Sequence, residues 1–263
     1  MVTSDWEFQS ILDYIGNDYA RCLYLYIDFC VYGQRDNPNV AVYIDRTADE
    51  KLHAVLLSYY TSLHIYSRDP DYYSDEVLSL IRQHKPTTIF AVAPIARALS
   101  ADLSGYTYSE GTVGKLAQKS RIAIKENISE LPFEVLPQVA DLLIDGQNFA
   151  GRYNGKQVFL NQIRERYRNK MGRHYALMGG DGTIAAHAAT YAEYKNIAVA
   201  SGIYTAPAFR RKGLALQTYA MLCNALVAEG KEVFAYYWAE HTAEMHHKIG
   251  FKDVCKWGEW KKE

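Results

Sequence analysis

Three cations, a glycine and an alanine at the mouth of an apolar helix are the residues of this 263-residue chain best placed to do chemistry. The segment runs Ile203-Tyr-Thr-Ala-Pro-Ala-Phe-Arg-Arg-Lys-Gly-Leu-Ala215. A β-rich stretch leads into Pro207, Arg210, Arg211 and Lys212 follow, and Gly213 opens directly into a helical pattern. Gly213 allows the backbone to approach a ligand closely, and Ala215 presents almost no side chain. The first amide N–H groups of a helix have no partner inside it and lie at the positive end of its dipole. Such a start holds phosphate, and the flanking cations add charge. The segment therefore points to a pyrophosphate site, with an ordinary basic strand–helix turn as the alternative.

The elements that must position this loop follow from periodicity and punctuation. Ile197 to Thr205 reads as a strand before it, and Leu214 to Ala228 as an almost wholly apolar helix after it, stopped by Gly230. Val233 to Trp238 is a further strand, and Thr242 to Ile249 a short helix closed by Gly250. Lys252 to Lys262 forms a last strand. Upstream, Tyr175 to Met178 and Thr183 to Glu193 flank Gly179-Gly-Asp-Gly182, a hairpin signal. Leu136 to Ile144 and Lys156 to Met171 read as helices, the second carrying Arg164, Arg166, Arg168 and Lys170. In the first half, Asp5 to Ile15 and Ser74 to His84 read as helices. Tyr19 to Tyr32, Val40 to Ile44, Leu52 to Tyr66 (two strands or one bent one) and Thr87 to Ala93 read as strands.

Composition bounds the class. Hydrophobic content of 49% and charged content of 22% are those of a globular protein. A net charge of −1 argues against generic nucleic-acid binding. That near-neutrality is a cancellation: Met1 to Lys115 holds 9 Lys and Arg against 15 Asp and Glu, and the remainder 20 against 15. At the changeover, Ser109-Glu-Gly-Thr-Val-Gly114 has the composition of a linker, which places a domain boundary near Ser109 to Ser120 and domains at 1–115 and 116–263. No apolar run reaches the ~18 residues of a membrane span, and the N-terminus lacks the pattern of a secretory signal. The four cysteines have no metal-ligand or CxxC spacing and read as reduced core residues. A soluble cytoplasmic protein without metal, nucleic-acid or membrane partner is expected.

Thr205-x-Pro207 and Arg210-x-x-Gly213-x-Ala215, followed by a strand and then His246-His-Lys248-Ile-Gly250-Phe251, resemble the GNAT superfamily of acyl-CoA-dependent N-acetyltransferases. The resemblance covers about Arg121 to Lys262. It implies an α+β fold, a mixed and largely antiparallel sheet flanked by helices, and acetyl-CoA as cosubstrate. The backbone of Ile203, Tyr204 and Thr205 would pair with the pantetheine arm. Amides of Arg211, Lys212, Gly213, Leu214 and Ala215 would hold the pyrophosphate, with Arg210 and Lys212 as charge support. The implied reaction is direct attack of a primary amine on the thioester, which needs a base, oxyanion donors and an acid for the departing thiolate.

The chain departs from the family at the acid: the usual tyrosine is His246, and the upstream asparagine is replaced by Ala239. An imidazole can donate a proton near neutral pH, so His246 is a candidate acid, and Glu193 and Glu240 are candidate bases. For both glutamates a solvated surface role is the alternative, and for His187 a core role outweighs that of a base. The basic run Arg164 to Lys170 is a solvated face, or a contact to an acidic substrate or to the 3′-phosphate. His64-Ile-Tyr-Ser-Arg-Asp-Pro70 resembles Gly202-Ile-Tyr-Thr-Ala-Pro207, so the first half reads as a degenerate GNAT-like α/β domain. Asp69, Asp71, Asp75 and Glu76 stand there in place of cations and would repel phosphate. Its expected role is to wall the substrate cleft or to form a subunit contact such as a homodimer would use. A non-catalytic acyl-CoA-binding regulatory module and a transferase of a longer acyl or aminoacyl group remain open. The acceptor is not legible.

Overall fold

The computed structural model describes residues 4–145, 153 and 155–263. The chain divides into two compact units, Met1–Val113 together with Val254–Glu263, and Gly114–Asp253. Their elements follow in chain order.

Unit 1 begins with α1 (Asp5–Ile15), started by a capping box between Ser4 and Glu7. A 3-10 turn leads to α2 (Leu23–Tyr32). This stretch was expected to be a strand and is a helix. Leu-Tyr-Leu-Tyr-Ile-Asp-Phe-Cys-Val-Tyr is apolar at nearly every position, so no period distinguishes the two states. Burial then decides: Leu23, Leu25, Ile27, Asp28, Phe29 and Tyr32 are all buried, as in a helix enclosed by the core. Next come β1 (Val40–Arg46), β2 (Leu52–Tyr59), β3 (Ser62–Tyr66), α3 (Asp75–His84), β4 (Thr88–Val92), α4 (Ala93–Ala98) and β5 (Tyr106–Leu116). Leu52 to Tyr66 is thus two strands, paired antiparallel. The stretch 109–114 is not a connection but the middle of β5, with 111–114 buried. Gly114 answers to packing, because a Cβ there would lie 2.7 Å from Tyr237 Oη.

Unit 2 holds β6 (Ile128–Glu130), α5 (Leu136–Ala140) continued by a π-turn at Asp141–Asp145, and α6 (Lys156–Arg168). After these come β7 (His174–Met178), β8 (Ile184–Tyr194), β9 (Ile197–Thr205), α7 (Leu214–Ala228), β10 (Glu232–Tyr237) and α8 (Glu240–Ile249). β11 (Phe251–Lys262) begins in unit 2 and continues into unit 1.

Strand order is β1-β2-β3-β4-β11 in unit 1 and β10-β9-β8-β7-β6 in unit 2. The sheet is largely antiparallel, with parallel pairs at β3–β4 and β9–β10. From α1 to β5 the succession of helices and strands is the same as from α5 to β11, and each parallel pair brackets one helix, α3 or α7. The core of unit 1 joins Leu56, Ile65, Ile81, Ile89, Ile95 and Trp260, and that of unit 2 joins Ala200, Tyr219, Leu222, Val233, Tyr237 and Phe251.

Candidate functional site

β9 carries the geometry. Its parallel ladder with β10 runs from Ile197↔Glu232 to Ala200↔Ala235, while β9 itself continues to Thr205. Against β8, Ser201 faces Ala189 and Tyr204 faces His187, so β9 has one residue more than β8 between these pairs. This β-bulge contains Gly202, whose φ of 62° lies in the left-handed region. The bulge falls just beyond the last β10 pair, where one edge of β9 leaves its neighbour.

From Thr205 the chain turns through Pro207–Phe209 in a 3-10 turn, and Gly213 (φ 71°) opens α7 with no side chain capping it. Arg211 is also left-handed, at φ 63°. A non-glycine residue held there costs about 1–3 kcal/mol, a strain that collects at ligand sites. Arg210 donates to the Thr205 carbonyl at 3.1 Å and lies over the Tyr204 ring at 5.7 Å, so its guanidinium is fixed at the end of β9. The uncapped amides of Leu214, Ala215 and Leu216 face outward as the geometry of any helix start requires.

A cavity of about 320 Å³ lies on this loop, within unit 2. Thr205, Arg210, Arg211, Gly213, Leu214 and Ala215 line it, with His241, Glu244, Met245 and Lys248 of α8 as the facing wall. Those four were missed at the level of sequence. Their spacing of 0, 3, 4 and 7 is one helix face, and Lys248 falls within the second motif, but nothing in the pattern says which face turns to the loop.

The candidate catalytic residues lie elsewhere. His246 is 3% exposed and packs on Tyr237 (4.5 Å), Tyr219 (5.3 Å) and Phe251 (5.5 Å). Its Nδ1 donates to the Thr242 carbonyl at 2.6 Å, and burial lowers its pKa to about 4. The ring is a neutral core member that does not line the cavity. Glu193 is 3% exposed, and its carboxylate accepts from Arg173 at 2.9 and 2.8 Å and from Thr190 Oγ1 at 2.5 Å, with Lys231 at 3.4 Å. It pairs in register with Ala198, seven residues before Thr205, roughly 23 Å away at ~3.3 Å per strand residue. Glu240 is exposed at the start of α8 and outside the cavity lining. Of the basic run, Arg166 is buried, while Arg168 lies over the Phe133 ring at 4.8 Å. Arg168 and Lys170 line a second cavity of about 750 Å³, which Glu193 shares.

His246 makes stability pH-dependent. An unfolded histidine takes up its proton near pH 6.5, whereas the folded one does so near 4. Between those values the unfolded state binds more protons, so stability present above pH 6.5 is lost as pH falls toward 4, by about 3 kcal/mol for this group. Burial lowers His187 to about 4 as well, and holds its partner His174 well below the ordinary histidine range, in the same direction. Urea midpoints at several pH values should fall along this window, and His246→Phe should flatten the slope; an equal slope in the variant would contradict the assignment.

The fold is that of solved GNAT acetyltransferase structures. The chain is similar to a Drosophila protein at a TM-score of 0.71, with 14% identity over 99% of this chain and 97% of that one. It is similar to a GCN5-related N-acetyltransferase from Sphaerobacter thermophilus at 0.65, with 12% identity over 100% and 94%. A tandem GNAT protein from the clavulanic acid biosynthesis pathway matches at 0.60, with 14% identity over 98% and 95%. Residues 181–260, which include the loop, match the family model described as FR47-like protein. None of the curated proteins matches the chain. Among the described residues no helix is long and apolar enough to cross a membrane, and no three His, Cys, Asp or Glu are grouped to hold a metal.

Proposed function

We propose that the protein transfers an acetyl group from acetyl-CoA to a primary amine, the acceptor approaching where β9 leaves β10. The observation that carries this reading is that Thr205, at the end of bulged β9, and the uncapped start of α7 line one cavity. The cosubstrate supplies the thioester. The backbone of Ile203, Tyr204 and Thr205 runs along its pantetheine arm. Amides of Arg211 to Ala215 hold the pyrophosphate, Arg210 and Lys212 supply charge, and Lys248 adds a cation from the opposite wall.

Attack forms the C–N bond and breaks the C–S bond; the ammonium loses a proton and the thiolate gains one. With His246 in the core and Glu193 locked between cations, solvent in the cleft exchanges these protons. kcat/KM is therefore expected to rise with pH in step with deprotonation of the acceptor amine. A bell-shaped profile that persists across acceptors of different basicity would instead reveal an enzyme acid–base pair.

The placement of His246 and Glu193 also favours a second reading, an acyl-CoA-binding regulatory module without turnover. Calorimetry with acetyl-CoA tests both, since absence of binding defeats either. Thiol release with a panel of amines separates them. Turnover in His246→Phe should equal that of the parent, and its loss would return His246 to the mechanism.

A further inference from the structure

We propose that His187, steadied by His174, is a positioning residue that sets the backbone edge of β9 for the thioester; this rests on the transferase reading above. His187 is wholly buried on β8, and its Nδ1 lies 2.6 Å from the Gly202 carbonyl. A carbonyl only accepts, so Nδ1 carries the proton, and Nε2 of the neutral ring is an acceptor. That Nε2 faces His174 Nδ1 at 3.0 Å, and His174, 1% exposed on β7, supplies the second donor. The pair forms a directed chain, His174 to His187 to Gly202, with both rings kept neutral by burial.

What the chain holds is the bulge. Gly202 is left-handed, and a Cβ on it would come within 2.5 Å of Tyr191 Oη, so no side chain can brace the backbone at this point. The imidazole braces it instead. Because a peptide is planar and trans, fixing the Gly202 oxygen also fixes the direction of the Ile203 N–H. Ile203 is the first residue assigned to the pantetheine arm, two positions beyond Ser201 and just past the end of the β10 ladder. A side chain two strands removed from β10 thereby orients the edge along which the thioester lies without touching it.

The test compares His187→Leu, which removes the donor, with His187→Asn, whose Nδ2 reproduces it, in the full chain. Amide exchange of peptides covering 201–205 should rise about tenfold or more in His187→Leu, as befits a lost buried hydrogen bond. kcat should fall by about tenfold or more through misplacement of the thioester, while the Kd for acetyl-CoA moves by less than about threefold. His187→Asn should restore both. If His187→Leu does not fold, His174→Leu serves in its place with a smaller rise in exchange over 201–205. Unchanged exchange in the folded variant overturns the proposal, as does a fall in affinity equal to the fall in kcat. A parent protein without turnover would defeat the transferase reading, yet the exchange measurement would still decide the role of His187.

Discussion

Gly213→Asp is expected to weaken acetyl-CoA binding by about 100-fold or more, roughly 2.7 kcal/mol, while lowering the thermal midpoint only modestly, since capping offsets part of the left-handed strain. The two effects part because the same carboxylate acts oppositely on each. Gly213 sits at φ 71° and ψ 13°, a conformation that Asp and Asn tolerate better than other side chains, and a Cβ there meets nothing within 4 Å. An aspartate at a helix start accepts a first-turn amide and complements the dipole, which stabilises the helix. In doing so it occupies the amides proposed for the pyrophosphate and places a negative charge against it. Gly213→Asn separates the causes, since it keeps the shape and removes the charge and should retain much of the affinity. Calorimetry on the three proteins, with thermal melts as control, decides the matter: equal affinity in Gly213→Asp would remove this loop from the binding site.

Loss of unit 1 on truncation at Asp253 is the second large effect. Val254–Glu263 belongs to unit 1, where Trp257 to Lys261 pair antiparallel with Val92 to Thr88 of β4. Trp260 is 6% exposed, its Nε1 donates to the Ala96 carbonyl at 2.9 Å, and its ring lies 4.8 Å from that of Tyr108. Removing the ten residues strips β4 of that partner and opens the core around Ile89, Ile95 and Leu99. Trp260→Ala alone should cost about 3–5 kcal/mol, the usual range for an aromatic deleted from a core. Limited proteolysis with fragment mapping should show first cleavage within 1–113. First cleavage within unit 2 in both variants would refute the assignment of this strand. A fragment of Arg121–Glu263 should be poorly soluble for the complementary reason, since it carries Trp257 and Trp260 without β4.

β9, α7 and α8 were legible because a strand period, a helix period and glycine stops alternate there within short distances. The loop from Arg210 to Ala215 and the helix start behind it were legible because these residues are consecutive. α2 was misread because a run that is apolar throughout erases the period on which such readings depend. The stretch 109–114 was misread because glycine has two uses, and at Gly114 it makes room for the Tyr237 ring rather than for a turn. His246 was named from a motif that fixes its place along α8 but not the depth at which the helix packs. Glu193 was placed by topology alone, and only the register shows that it lies at the far end of β9. The α8 wall and the His174–His187 chain depend on side chains from elements distant in sequence, and no local pattern marks such meetings.

The allegiance of β11 also governs the order in which the protein can be made. Residues 114–253, a stretch of 140, lie between the rest of unit 1 and the strand that completes it. At a synthesis rate of about 5–20 residues per second, β4 waits roughly 7–28 s on the ribosome with an unpaired edge. Unit 2 is translated in full during that interval. The first unit to begin folding is therefore the last to finish, and its completion certifies that translation has passed through the whole of unit 2.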